Sequence, residues 1–268
     1  MLPIRLTFFF GLLYALNGQC QMLFSTGETF ALGNITSVGN SPWRVNGNAA
    51  QLANLQHASI LLGQTLPYGI SQLSSTQVSS AVPINKHSGI GAQLIRSGHQ
   101  LITHTQLNLS YGLLLTPELT GGIKIHYHRW NQGEGYATFQ TIAPEIGLIA
   151  NIADKVHIGS QIQLNTANNN PFKNEVDLFK IGLQYEADKK LTFLSELTST
   201  NNQQQLIIGG RYIINNWASV LLATGINPGL FSFGFTLAKN KSLQINAATQ
   251  WQPLLGFTPS IGFLYVAP

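Results

Sequence analysis

The sequence predicts an all-β protein: a transmembrane antiparallel β-barrel of about 14 strands with an N-terminal plug segment. Three observations carry that expectation. Apolar and polar residues alternate with a period of two along most of the chain, the mark of strands whose side chains point to opposite faces. The stretch from Lys155 to Thr166 shows it best: Val156, Ile158, Ile162 and Leu164 share one parity, and His157, Gln161, Gln163 and Asn165 the other. Charged residues make up only 9% of the chain, against roughly 25% in a soluble domain. Gln, Asn, Ser and Thr replace them, which holds the mean hydropathy at +0.10. A soluble β-sandwich, the alternative, normally carries Lys and Glu on its exposed faces. Beyond the N-terminus no apolar run reaches about 18 residues, so spanning helices are not expected.

Residues 1–20 read as a secretory signal peptide. Arg5 supplies the positive end, Leu6 to Leu16 the short apolar run, and Gly18-Gln19-Cys20 the site before a mature start at Gln21. The alternative is a lipoprotein acylated at Cys20, the only cysteine. The bulky Gln19 just before it disfavours that reading. A mature chain without cysteine has neither a disulfide framework nor a thiolate metal site. Losing Arg5 lowers the formal charge from +4 to +3. The remaining basic residues are scattered, so no nucleic-acid partner is expected.

Residues 21–56 alternate weakly and form an N-terminal plug or periplasmic segment. Asn48, Ala49, Ala50, Leu52 and Ala53 stand out: small residues allow close backbone packing, and Asn satisfies exposed backbone groups. The competing reading is a periplasmic tail with a short helix at Ala49 to Leu55.

Residues 57–268 form the expected barrel. Its strand candidates are His57 to Tyr68, Ser74 to Pro83, Ser88 to Ser97, Gln100 to Leu115, Leu119 to Trp130, Tyr136 to Ile152 and Lys155 to Thr166. Glu175 to Ala187, Lys190 to Ser199, Gln205 to Asn215, Trp217 to Ile226, Leu230 to Ala238, Ser242 to Trp251 and Phe257 to Val266 follow. This leaves about 15 residues per strand and connection, against the roughly 9–11 that a tilted strand needs to span. The connections alternate in kind. Asn85-Lys86-His87, Pro117-Glu118, Asp154-Lys155, Asp188-Lys189-Lys190, Asn215-Asn216 and Lys239-Asn240-Lys241 are tight and mostly charged. The interleaved set, including Asn131 to Gly135, Asn165 to Asn174 and Thr200 to Gln204, is longer and mostly Asn/Gln-rich. Short periplasmic turns and longer external loops are what a barrel requires. Tyr68, Trp130, Tyr136, Trp217, Trp251, Phe257 and Tyr265 fit interfacial girdles.

On these features the chain resembles the fourteen-stranded FadL-type barrels, and more closely the PorV/PorQ-type accessory barrels of the type IX secretion system. Those families open with a Gly-rich segment and an Asn-Pro-Ala-Gly/Ala-Leu-Ala motif before the first strand. Asn48-Ala49-Ala50-Gln51-Leu52-Ala53 is similar to that motif, with Ala49 at the Pro position. Leu107-Asn108-Leu109-Ser110-Tyr111-Gly112 and Leu119-Thr120-Gly121-Gly122-Ile123-Lys124 resemble the strand pair that follows. The resemblance implies the outer membrane of a Gram-negative, Bacteroidota-like bacterium. It also implies either passage of hydrophobic solutes or service in a larger outer-membrane machine.

Several polar residues fall on inward parities: Lys124, His126, His128, His157, Lys180, Glu186, Glu196 and Arg211. His126 and His128, two apart on one strand, are placed to share a metal, but no local carboxylate or cysteine completes a ligand set. A polar lumen lining is the expectation, with no metal and no cofactor. Buried charges need partners, and Glu196 with Arg211 on the next strand is the expected pair. Ser110 and Ser195 have no adjacent His, so no nucleophilic triad marks an enzyme.

The neutral polar lumen and short loops point to a non-enzymatic accessory or structural subunit of an outer-membrane complex, with membrane lipid and an outer-membrane protein as partners. The alternative is a FadL-like passive transporter of hydrophobic small molecules. Apolar residues on both faces at Ile60 to Leu62, Leu113 to Leu115 and Leu206 to Ile208 suit either a pocket or a partner contact.

Overall fold

A computed structural model describes residues 25–39, 41–44, 47–133, 138–164, 178–200, 203–240 and 242–268. The signal-peptide reading, Cys20, Tyr136 and the Asn-rich stretch from Asn165 to Asn174 lie outside these residues.

Fourteen strands form one closed antiparallel barrel. They are β1 Ser59–Thr65, β2 Ser75–Asn85, β3 Ser88–His99, β4 Ile102–Thr116, β5 Leu119–Gln132, β6 Phe139–Ala153, β7 Val156–Gln163, β8 Leu178–Glu186, β9 Leu191–Thr200, β10 Gln203–Asn215, β11 Ala218–Ile226, β12 Leu230–Ala238, β13 Leu243–Gln252 and β14 Gly256–Val266. Each strand pairs with its sequence neighbour, and β1 closes the wall against β14 from Ser59 opposite Val266 to Thr65 opposite Ser260. Closure removes every sheet edge, the condition for placing strands in hydrocarbon. No helix among the described residues is long and apolar enough to cross a membrane.

The period-two pattern becomes two surfaces. On β1, Ser59, Leu61, Gly63 and Thr65 are buried while Ile60, Leu62 and Gln64 face outward. Ile60, Leu62, Ile125, Ile146, Phe235 and Phe263 are about half exposed. Such a continuous apolar coat is stable against lipid and not against water. Trp217, Trp251, Phe257 and Tyr265 are exposed near strand ends, where girdle residues sit. Trp130 differs. It is inward-facing and buried, because it shares the parity of Lys124, His126 and His128.

The C-terminal Val266 and the tight turns share one end of the barrel, while the described N-terminal segment begins at the other, where Thr65 donates to Ser25 O. At the other end the connections are uneven: residues 66–74 hold two short 3₁₀ turns, whereas β3 and β4 join by a hairpin as tight as any at the first end. Of the expected loop at Thr200 to Gln204, Thr200, Gln203 and Gln204 belong to the paired ends of β9 and β10, and the two residues between lie outside the described residues.

The N-terminal segment lies against the inner wall. It contains the helical turn α1, Glu28–Ala31, and 3₁₀ turns at Pro42–Arg44 and Ala49–Asn54. Phe30, Leu32, Ile35 and Val38 pack with the inward Leu194, Ile207, Leu221, Ala223, Leu230 and Ala248. Trp43 packs with Leu61 and Leu264. The inward apolar residues at Leu61 and Ile207 therefore cover the segment.

Glycine makes the room. Gly89, Gly112, Gly122 and Gly147 stand in register across β3 to β6. A Cβ at each would run into the turn at residues 48–53: Leu52 O, Ala49 O, Ala49 C with Ala50 N, and Asn48 Oδ1 respectively. The glycine row is a groove fitted to backbone.

Candidate functional site

Asn48 and the small residues after it seat the segment in that groove. Asn48 is fully buried, and its Oδ1 accepts from Ala50 N at 3.0 Å, capping the 3₁₀ turn. Its Nδ2 donates toward Ser37 O at 3.0 Å, Ser160 O at 3.1 Å and Leu148 O at 3.2 Å. One amide thus joins two stretches of the segment to β6 and β7. Ala49, Ala50, Leu52 and Ala53 are all buried, with Leu52 against Ala81 of β2.

Among the described residues three carboxylates are buried in the lumen, each beside a cation. Glu196 is buried between Lys180 Nζ at 3.1 Å and the backbone N–H groups of Thr36 and Ser37, both at 2.7 Å. Lys180 also donates to Thr36 Oγ1 at 2.8 Å. Glu145 meets Lys124 Nζ at 3.4 Å and His126 Nε2 at 3.0 Å, and accepts from Gln161 Nε2 at 2.9 Å. Lys124 donates in turn to Gly47 O in the segment. Glu28, in α1, meets Arg211 at 3.5 Å and accepts from Ser41 Oγ and Thr236 Oγ1. Each ionic group therefore ties the wall to the segment, and the bonds satisfy charges that would otherwise be costly to bury.

The expected Glu196–Arg211 pair does not form. Register sets Glu196 opposite Ile207 and Arg211 opposite Thr192, so the two lie four residues apart along the sheet, about 13 Å. Glu196 takes its cation from β8 and Arg211 takes its anion from the segment. Sequence reasoning missed Glu28 and Glu145. Glu145 falls on the inward parity of its strand and stands directly opposite Lys124, a signal that needed only the register.

His126 also holds Asn108 Oδ1 with Nδ1 at 2.8 Å. His128 Nδ1 lies 3.2 Å from His104 Nε2. The His104, His128 and Trp130 rings are nearly parallel, with Trp130 stacked on His104 at 4.5 Å between centroids. Hydrogen bonds and stacking thus engage these rings, with His128 Nε2 left buried and without a hydrogen-bond partner among the described residues. Among the described residues no group of three or more His, Cys, Asp or Glu is placed to hold a metal.

His157 sits at the terminal end. Its Nδ1 is 2.7 Å from Asn151 Oδ1 and its Nε2 is 3.5 Å from Glu186. It borders a cavity of about 440 Å³ between the segment and the wall, also lined by Gln51, Asn54, His57, Ser59 and Asn151.

No protein-family model matches the chain, and no curated protein matches it by sequence. Solved structures do match by shape. The Ralstonia pickettii toluene transporter TbuX superposes with a TM-score of 0.69 at 11% identity, over 92% of this chain and 99% of its own. The fold is that of the FadL-type outer-membrane barrels. The P. putida toluene transporter TodX matches at 0.65 and a Pseudomonas aeruginosa FadL homologue at 0.64, both at 11% identity. TodX covers 91% of this chain and 99% of its own, and the FadL homologue 90% and 97%. These structures bear on the FadL-type half of the resemblance and not on closeness to the PorV/PorQ-type barrels.

Proposed function

We propose that this chain is a passive outer-membrane transporter for small hydrophobic molecules. The observation that carries the proposal is the shape match along nearly the whole chain to two toluene transporters, which reverses the order in which the sequence ranked the two functions. The apolar contact between the segment and β9 to β13 supports it. A hydrophobic solute entering there exchanges one apolar surface for another, and small shifts of the segment open the path. In this reading residues 1–20 direct export, residues 21–56 plug the lumen and residues 57–268 form the conduit. Lys124, His126, Glu196 and Arg211 hold the plug in register, while His128 stacks on the wall and His157 borders the terminal cavity; none of them does chemistry.

Vesicle uptake tests this. Reconstituted protein should carry radiolabelled toluene inward faster than empty vesicles do and leave glucose permeation unchanged. Equal rates for toluene with and without protein refute the proposal.

A second reading, the accessory subunit of an outer-membrane secretion or assembly complex, is favoured by the dense polar pairing of the lumen and the tight far-end hairpin of β3 and β4. Stoichiometric co-purification of one outer-membrane protein in mild detergent, together with failed toluene uptake, supports it.

A further inference from the structure

The outer wall carries a basic site where the sheet is tallest. Following the register from β1 to β6, one row reads Gln64, Thr76, Arg96, Thr105, Arg129 and Gln140. All six are outward by parity, and both arginines are exposed. The next outward row toward the terminal end reads Leu62, Val78, Leu94, Leu107, Tyr127 and Ile142, every one apolar or aromatic. The boundary of the hydrocarbon coat therefore falls between two adjacent rows. The arginines stand one row beyond it, at the level of lipid headgroups.

Arg96 and Arg129 both oppose Thr105, one from each side. They are two strands apart, about 10 Å, so two long side chains can converge on a single anion. Guanidinium binds phosphate bidentately, and hydroxyl and amide neighbours supply further donors. Neither arginine forms an ion pair among the described residues. The row lies at the end opposite Val266 and the tight turns, which in a barrel with short periplasmic turns is the outer leaflet.

We infer that Arg96 and Arg129, with Thr76, Thr105, Gln64 and Gln140 around them, bind the phosphate of an outer-leaflet lipid headgroup and hold that lipid against β2 to β5. This site is on the outside of the wall and does not depend on what crosses the lumen.

Native mass spectrometry of the full-length purified barrel tests it with lipid A as the probe. Wild-type protein should retain diphosphorylated lipid A at least tenfold better than the same lipid treated with phosphatase. The double variant R96Q/R129Q should bind both forms equally weakly, and R96K/R129K should fall between, because lysine keeps the charge without the fork. Equal retention of the two lipids by wild type overturns the inference without reference to any variant. So does an undiminished preference in R96Q/R129Q that still migrates as a folded barrel. Displacement of lipid A by millimolar inorganic phosphate would assign the site to the free anion and overturn the lipid reading.

Discussion

Glu196 is the residue on which the N-terminal segment most directly depends. It is 1% exposed and receives two backbone N–H groups and one ammonium. Glu196→Ala strands Lys180 as a buried charge and leaves the Thr36 and Ser37 amides without their acceptor. The expected loss is about 3–5 kcal/mol, the cost of breaking a buried pair by deleting one partner. Urea unfolding in lipid vesicles measures it, and adding Lys180→Met should return part of the loss. Asp188 behaves differently because it lies in the exposed turn between β8 and β9. The backbone N–H groups of Lys190 and then Leu191, at 2.6 and 2.9 Å, hold its carboxyl below the ordinary 3.8. A carboxyl depressed in the fold stabilises the turn above its unfolded value, and that contribution disappears as pH falls through the folded value. NMR titration should place its midpoint below 3.8, and Asp188→Ala should abolish the low-pH shift of the Lys190 amide.

At the scale of elements, the glycine row fixes where the segment sits. Gly147→Val puts a branched side chain where Asn48 Oδ1 lies. The wall should still form, since valine suits a strand, but the segment should lose its seat. Reactivity of an introduced A50C toward a water-soluble maleimide should rise by more than tenfold, with barrel mobility on cold gels unchanged. Sequence alone delivered much of this level. Strand parity set Gln161 and Gln163 inward and Ile162 outward, and fourteen strands were countable from turn chemistry. Parity does not tell which residues face each other across two strands. The Glu196 and Arg211 pairing failed there, and Glu145 went unseen although it stands opposite Lys124. Glu28 was illegible for another reason: it lies in a stretch with no strand period, and its partner is far away in sequence. Trp130 looked like a girdle residue because it ends a strand, and only its neighbours on the same face reveal the stacking with His104. Strand parity is likewise silent on the glycines that serve as clearance for a second piece of backbone.

At the scale of the whole molecule, wall and filling are separable. The fourteen ladders use no backbone group of residues 25–56. Removing those residues should therefore leave a closed wall with an open lumen. Single-channel recording should show at least a tenfold rise in conductance, with polar solutes then crossing as readily as apolar ones. An unchanged conductance would mean that the wall closes the path by itself.

The contact of β1 with β14 has a consequence for how such a molecule is born. The first strand waits for the last, so no intermediate short of the full chain can hide its open margins. A chain cut before Gly256 would leave the β14-facing N–H and C=O groups of Ser59 to Thr65 without partners and should be degraded before insertion.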